Sequence, residues 1–165
     1  MIEIDPTARV SELADIEEST RGTRIVVGAG SFIDSFVKIK PVGGSGDVMI
    51  GERSYINSGT VIYSGNGVRI GNGVLIAANC TFAASNHQFT RDDLPIANQG
   101  FMPSRGGILV EDDVWIGANC VLLDGTIIRQ GAVVGAGMVV RHELGPYTIY
   151  AGNPARIIGR RRRDG

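Results

Sequence analysis

Large apolar residues recur along this chain every six positions, and the register breaks only after every third one. The series is Ile4, Val10, Ile16, Val27, Ile33, Ile39, Ile50, Ile56, Ile62, Ile70, Ile76, Phe82, Val110, Ile116, Leu122, Ile128, Val134 and Val140. The steps that depart from six are 16 to 27, 39 to 50, 62 to 70 and 82 to 110, after the third, sixth, ninth and twelfth members. A coil with three flat sides gives this pattern when every insertion leaves from the same corner, so the eighteen sides make about six coils. Four residues after most of these positions stands a small or β-branched residue, such as Ala8, Ala14, Thr20, Ser31, Val37, Ser54, Thr60, Cys80, Cys120 or Ala132. Alternate residues of a short strand point to opposite faces, so a large and a small residue of one side can both face inward. The pattern predicts an all-β solenoid, a three-sided parallel β-helix. An ordinary β-sandwich has irregular turn spacing and would not hold eighteen apolar residues in phase.

Glycine agrees with this reading. The chain has 24 glycines in 165 residues, and a glycine content without a period would point to disorder. Here Gly51, Gly71, Gly117 and Gly135 directly follow the apolar position, while Gly59, Gly65, Gly73, Gly125, Gly131 and Gly137 fall near the next corner. Corners need φ > 0, which glycine reaches without steric cost. The chain reads as one domain, 1–165, with a loop arm at about 86–107 and a C-terminal extension and tail from 144.

Charge narrows the function only by exclusion. Sixteen Lys and Arg stand against 17 Asp and Glu, so no global charge points to nucleic acid. No apolar run reaches the length of a membrane span, and the N-terminus lacks a basic-then-apolar signal, so a cytoplasmic protein is expected. Cys80 and Cys120 fall on inward hexad positions and read as reduced core thiols rather than catalytic ones.

Three segments carry a family resemblance: Val114-Trp115-Ile116-Gly117-Ala118-Asn119-Cys120, then Val134-Gly135-Ala136-Gly137, then Ala151-Gly152-Asn153-Pro154-Ala155-Arg156. In this order and separation they resemble the hexapeptide-repeat acetyltransferases, which fold as left-handed parallel β-helices. The resemblance spans essentially the whole chain and includes galactoside, maltose and xenobiotic acetyltransferases and O-acetyltransferases of cell-surface polysaccharides. It implies acetyl-CoA as cosubstrate, no metal, and a homotrimer with a site in each cleft between neighbours. The N-terminal helical segment of the galactoside and maltose enzymes has no counterpart here, because the repeats begin at Ile4.

The longest insertion, the arm, has His87 at its base in Ser85-Asn86-His87. A lone loop histidine is ordinarily a solvated polar residue. The resemblance gives it another role, because the family's catalytic histidine stands just after the twelfth rung. His87 would take the proton of the acceptor as it attacks the acetyl carbonyl, histidine being suited to that task near neutral pH. Backbone N–H groups near a coil edge would stabilise the oxyanion. Trp115 matches the family's tryptophan near the transfer centre, which is compatible with packing on a prism face. Asn57 matches an asparagine that holds the acceptor, or is a corner residue tolerating left-handed backbone. Asn86 either orients the loop or acceptor or caps a turn. For CoA, the resemblance names Gly117, Ala118, Ala136 and Gly137 along the pantetheine, with Arg156 near the nucleotide phosphates. Where the family usually has Thr-Lys, this chain has Arg141-His142, which keeps one firm cation at Arg141. The basic run Arg160, Arg161, Arg162 and Arg163 reads as a solvated tail, with CoA's 3′-phosphate or an anionic membrane surface as the alternatives.

The resemblance implies O-acetylation of a saccharide hydroxyl, as in polysaccharide biosynthesis. The alternative is N-acetylation of an amino sugar, free or nucleotide-linked. A non-catalytic β-helix scaffold would have no use for His87 and Trp115. A γ-class carbonic anhydrase needs three histidine ligands, and the chain has only His87 and His142.

Overall fold

A computed structural model describes residues 1–162 of the chain. The strands form three sheets that run the length of a prism, each coil giving one strand to each sheet. The first sheet stacks Ile2–Ile4, Ile25–Val27, Val48–Ile50, Val68–Ile70, Ile108–Val110, Thr126–Ile128 and Glu143–Leu144. The second runs from Arg9–Val10 through Phe32–Ile33, Tyr55–Ile56, Leu75–Ile76, Trp115–Ile116 and Val133–Val134 to Thr148–Ala151. The third runs from Asp15–Ile16 through Lys38–Lys40, Val61–Tyr63, Thr81–Ala83 and Val121–Leu123 to Val139–Val140. Neighbouring coils pair in parallel and in register, so Ile76 lies between Ile56 and Ile116, and Phe82 between Ile62 and Leu122.

The segments 17–24, 41–47, 64–67 and 84–107 all lie between the third and the first sheet. All four register breaks therefore sit on one corner. Six full coils are followed by a partial seventh, which corrects the expectation of a tail. Glu143–Leu144 and Thr148–Ala151 extend the first two sheets, and Arg156–Arg160 folds back antiparallel on Thr148–Ala151. The basic run thus begins inside a strand, and Arg163 lies outside the described residues.

The core is the inside of the prism. From Val27 to Val140 every hexad residue is buried, whereas Ile4 is 41% exposed and Val10 and Ile16 are half-buried. The first coil has a neighbour on one side only. Ile25, Val48, Val68 and Ile108 are equally buried two positions before the hexad residue of the first sheet. Period-2 alternation from Val27, Ile50, Ile70 and Val110 would have found them. Thr20, expected inward, is exposed in the segment 17–24, and Thr23 is buried in its stead.

The glycines divide into two physical kinds. Gly59, Gly65, Gly73, Gly125, Gly131 and Gly137 have positive φ, as expected for corners. Gly51, Gly71, Gly117 and Gly135 do not; they are held to glycine by the stacking itself. A Cβ on Gly51 would lie 2.6 Å from the Gly71 carbonyl oxygen, and one on Gly117 would lie 2.6 Å from the Ala136 nitrogen. Coils at strand spacing leave no room for a side chain there.

Ile62→Ala, at a fully buried site, should lower unfolding free energy by about 2–5 kcal/mol. Ile4→Ala, at the open end, should cost about 1 kcal/mol or less. Urea denaturation of the two variants checks the ordering; equal losses would contradict a core that frays at its first coil.

Candidate functional site

The arm is an ordered finger. It leaves the third sheet after Ala83 and returns at Ile108. Near its base the outgoing and returning chains pair: His87 bridges Phe101 in antiparallel fashion, Gln88 N–H donates to Gly100 O at 2.9 Å, and Met102 N–H donates to Asn86 O at 2.8 Å. The His87 and Phe101 rings lie 4.7 Å apart and tilted by 31°, and the His87 side chain is exposed. At the tip, beside the short 3₁₀ turn Ile96–Asn98, the Gln99 amide donates to the carbonyls of Arg91 and Leu94 at 2.8 and 2.7 Å. Arg91 pairs with Asp93, and that hydrogen bond holds the Asp93 carboxyl below the usual range. Phe89, Ile96 and Phe101 are exposed along the finger.

Asp124 anchors the returning end. It is 2% exposed. One carboxylate oxygen accepts Gly107 N–H at 2.8 Å; the other accepts Arg105 N–H at 2.8 Å and the Asn66 amide at 3.0 Å. Three segments far apart in sequence meet on this one buried charge, and it is satisfied by dipoles rather than by a cation. Sequence reasoning missed it, since its only signal was an aspartate inside an apolar rung followed by Gly125.

Of the residues proposed for CoA and acceptor, Asn57, Gly117, Ala118, Ala136 and Gly137 gather on another edge, between the second and third sheets, whereas Arg141 lies on the arm's corner. Asn57 donates its amide to Ile76 O at 2.6 Å, one coil further on, and it is absent from the positive-φ residues. It is therefore a rung-to-rung tie rather than a left-handed corner. Along the same edge Gly117 N–H donates to Val134 O at 2.8 Å, and Gly117 O accepts the Cys80 thiol at 3.2 Å. Gly137 N–H donates to Ala118 O at 2.8 Å, and Gly137 O accepts the Asn153 amide at 2.8 Å. Among the described residues this leaves the N–H groups of Ser58, Ala78, Ala118 and Ala136 along this edge without a partner. Gly137 has open space where a side chain would stand, whereas the same space at Gly117 is filled by the backbone of Ala136. Asn153 also accepts Val139 N–H at 2.7 Å, so it clamps the lower end of the edge, a role not foreseen from its motif.

Trp115 faces outward on the second sheet, 53% exposed, between Leu75 and Val133. With Leu75, Asp113, Val133 and Arg161 it lines a depression of about 290 Å³. A wider groove of about 530 Å³ crosses the first sheet over Met49, Arg69 and Leu109, and none of the site residues expected from the sequence lines it. Arg141 and Arg156 are exposed and carry no ion pair among the described residues. Cys80 and Cys120 are buried, and the Cys80 thiol is pushed far up by its hydrogen bond with Cys120 and by burial. One protomer thus places His87 and Asn86 on the arm's corner, Trp115 on a sheet face, and the CoA-edge residues on a second corner. It does not bring His87 and Trp115 together.

The family described as "Hexapeptide repeat of succinyl-transferase" matches residues 107–141. A 2,3,4,5-tetrahydropyridine-2,6-dicarboxylate N-acetyltransferase of Staphylococcus aureus is 45% identical over 56 residues, 34% of this chain and 23% of that protein. A probable macrolide acetyltransferase of Lysinibacillus sphaericus is 41% identical over 63 residues, 38% of this chain and 35% of that one. The matched stretches thus span about a quarter to a third of these relatives. Among solved structures, a variant of the Bacillus cereus N-acyltransferase AntD, in complex with dTDP-4-amino-4,6-dideoxyglucose and coenzyme A, superposes with a TM-score of 0.81 at 26% identity. That match covers 98% of this chain and 84% of AntD. A hexapeptide-repeat acetyltransferase from Vibrio cholerae gives a TM-score of 0.64 at 27% identity over 93% of this chain and 70% of that one.

Asp124→Ala leaves three donors without their acceptor and should cost roughly 2–4 kcal/mol. Hydrogen exchange should quicken first in the arm, 84–107, while the strands of coils two to four stay protected. Uniform loss of protection would contradict an anchor specific to the arm.

Proposed function

Because the chain belongs to the hexapeptide-repeat proteins and has the left-handed parallel β-helix of their acyltransferases, we propose that it transfers an acyl group from acyl-CoA to the amine of a nucleotide-linked amino sugar. The observation that carries this reading is the fold match over 98% of the chain to an N-acyltransferase bound to such a sugar and to coenzyme A. The choice of amine over hydroxyl departs from the sequence-based preference for O-acetylation, which none of these comparisons supports directly. Transfer to a hydroxyl is kept as the second reading, favoured by the similarity to a probable macrolide acetyltransferase.

In the mechanism, the His87 imidazole accepts a proton from the attacking amine. The nitrogen attacks the thioester carbonyl, a tetrahedral oxyanion forms, and as it collapses the C–S bond breaks while the proton held by His87 passes to the sulfur, releasing CoA as the thiol. No acyl-enzyme is required, consistent with the burial of both cysteines. The pantetheine runs along the edge of Asn57, Ala118 and Ala136, where the unpartnered N–H groups of the two alanines serve it or the oxyanion. Gly137 lets it lie close, and Arg141 and Arg156 meet its phosphates. Asn86 keeps its place beside His87 as an orienting residue.

The reading also needs a second copy. His87 and Trp115 stand on different sides of one prism, and both are exposed. A cyclic homotrimer brings the arm of one protomer, with Phe89, Ile96 and Phe101, over the Trp115 face of its neighbour. A ring of such head-to-tail contacts closes with no interface left open.

Two measurements follow. Thiol release from acetyl-CoA over a panel of amino sugars, free and nucleotide-linked, and their hydroxyl counterparts should favour the nucleotide-linked amine. His87→Ala should lower kcat about 10²- to 10⁴-fold; full activity in this variant would rule out the base. Sedimentation should give three times the 17.5 kDa protomer, and a protomer mass at working concentration would defeat the shared site.

A further inference from the structure

The prism is electrically polarised along its axis. Glu3, Asp5, Glu12, Asp15, Glu17 and Glu18 stand at or just after the first coil, against Arg9, Arg21 and Arg24, the last of them paired with Glu3, so that end stays acidic. The other end carries Arg156, Arg160, Arg161 and Arg162, with Arg163 following beyond the described residues. Only Arg161 is tied down, 2.7 Å from the Asp113 carboxylate. Arg156, Arg160 and Arg162 are exposed and make no ion pair among the described residues.

What sets this end apart from a solvated charge run is its order and its apolar content. The returning strand Arg156–Arg160 is paired along its length, with a register shift between Ile149 and Tyr150: Gly159 lies opposite Ile149 and Ile157 opposite Tyr150. Ile158 is the extra residue of the resulting bulge. Ile157 and Ile158 are 58% and 67% exposed. Beside them Tyr147, 40% exposed, takes the N–H of Arg161 on its carbonyl at 2.8 Å. Two exposed isoleucines thus sit on a paired strand between Arg156 and Arg160, with Tyr147 just ahead of the partner strand. Apolar side chains that enter the headgroup boundary, ringed by cations, are the elements of an interfacial anchor.

We infer that the C-terminal end of the prism docks on an anionic lipid surface, with Ile157 and Ile158 entering the interface and Arg160 and Arg162 meeting the lipid phosphates. Contact of this kind is peripheral and salt-sensitive. In a cyclic assembly every protomer points this end the same way, so three patches would engage one bilayer together and strengthen one another. The inference stands apart from the acyl-transfer reading, because it needs neither His87 nor an acceptor.

The test is flotation of the full chain with phosphatidylglycerol and with phosphatidylcholine vesicles, at low and high salt, with and without saturating CoA. Binding is expected to phosphatidylglycerol vesicles only, to vanish at high salt, and to persist with CoA present. Arg160→Gln with Arg162→Gln should weaken it about fivefold per arginine removed. Ile157→Ser with Ile158→Ser should weaken it about tenfold or more while oligomer mass and circular dichroism stay unchanged. Four results would overturn the inference: no binding to phosphatidylglycerol; release by CoA, which marks the arginines as a nucleotide-phosphate site; indifference to both double variants; or loss of the oligomer in the isoleucine variant, which makes the patch an interface between copies.

Discussion

Everything in this molecule depends on the stacking of one coil directly on the next through parallel backbone hydrogen bonds. That stacking fixes which residues face inward, and it leaves no room for a Cβ at Gly28, Gly51, Gly71 or Gly117. It also explains why the polar corner residues bond upward or downward rather than within their own coil. Asn57 reaches the carbonyl of Ile76, Asn72 accepts the N–H of Glu52, and Asp112 accepts that of Asn72. The regularity has a cost at the ends, where a coil has only one neighbour. The first coil leaves Ile4 exposed, and the last is closed by a strand that runs backwards.

Function has to be built where stacking is interrupted or where its edge is free. The arm leaves from the corner that carries every other insertion, and Asp124 adds side-chain bonds to the backbone ties of Gly107 and Ile108 at its returning end. That carboxylate fastens the returning chain to the corners of two different coils, and the pairing of His87 with Phe101 carries the restraint to the histidine. The candidate CoA edge works the other way. There most backbone groups are spent on neighbouring coils, and each coil from the third to the sixth leaves one N–H free, at Ser58, Ala78, Ala118 and Ala136.

The rungs were legible in the sequence because a hexad repeats a local rule, with one inward pair per side and one glycine per corner. His87 drew notice as a candidate because it stands at the largest break in that rule, and Trp115 because it sits in a recognisable segment. Asp124 and Asn153 were not, since each acts through bonds to residues 14 to 58 positions away. No period marks such partners. The terminal strand was hidden for a different reason: its arginines suggested solvent, whereas the pairing of Arg156–Arg160 is decided by the free edge of Thr148–Ala151. The glycines after each apolar residue were found correctly but for the wrong cause, close approach rather than backbone sign.

The central claim is that the acyl-transfer site is assembled from two protomers, His87 from one and Trp115 from its neighbour. Mixed oligomers of His87→Ala and Trp115→Ala chains, co-refolded at equal ratio, test it most directly. If the site spans the interface, a quarter of the sites pair an intact His87 with an intact Trp115, and activity should return to about a quarter of the unaltered level. If both residues act within one protomer, no site in the mixture is complete, and the oligomers will be no more active than the two variants measured alone.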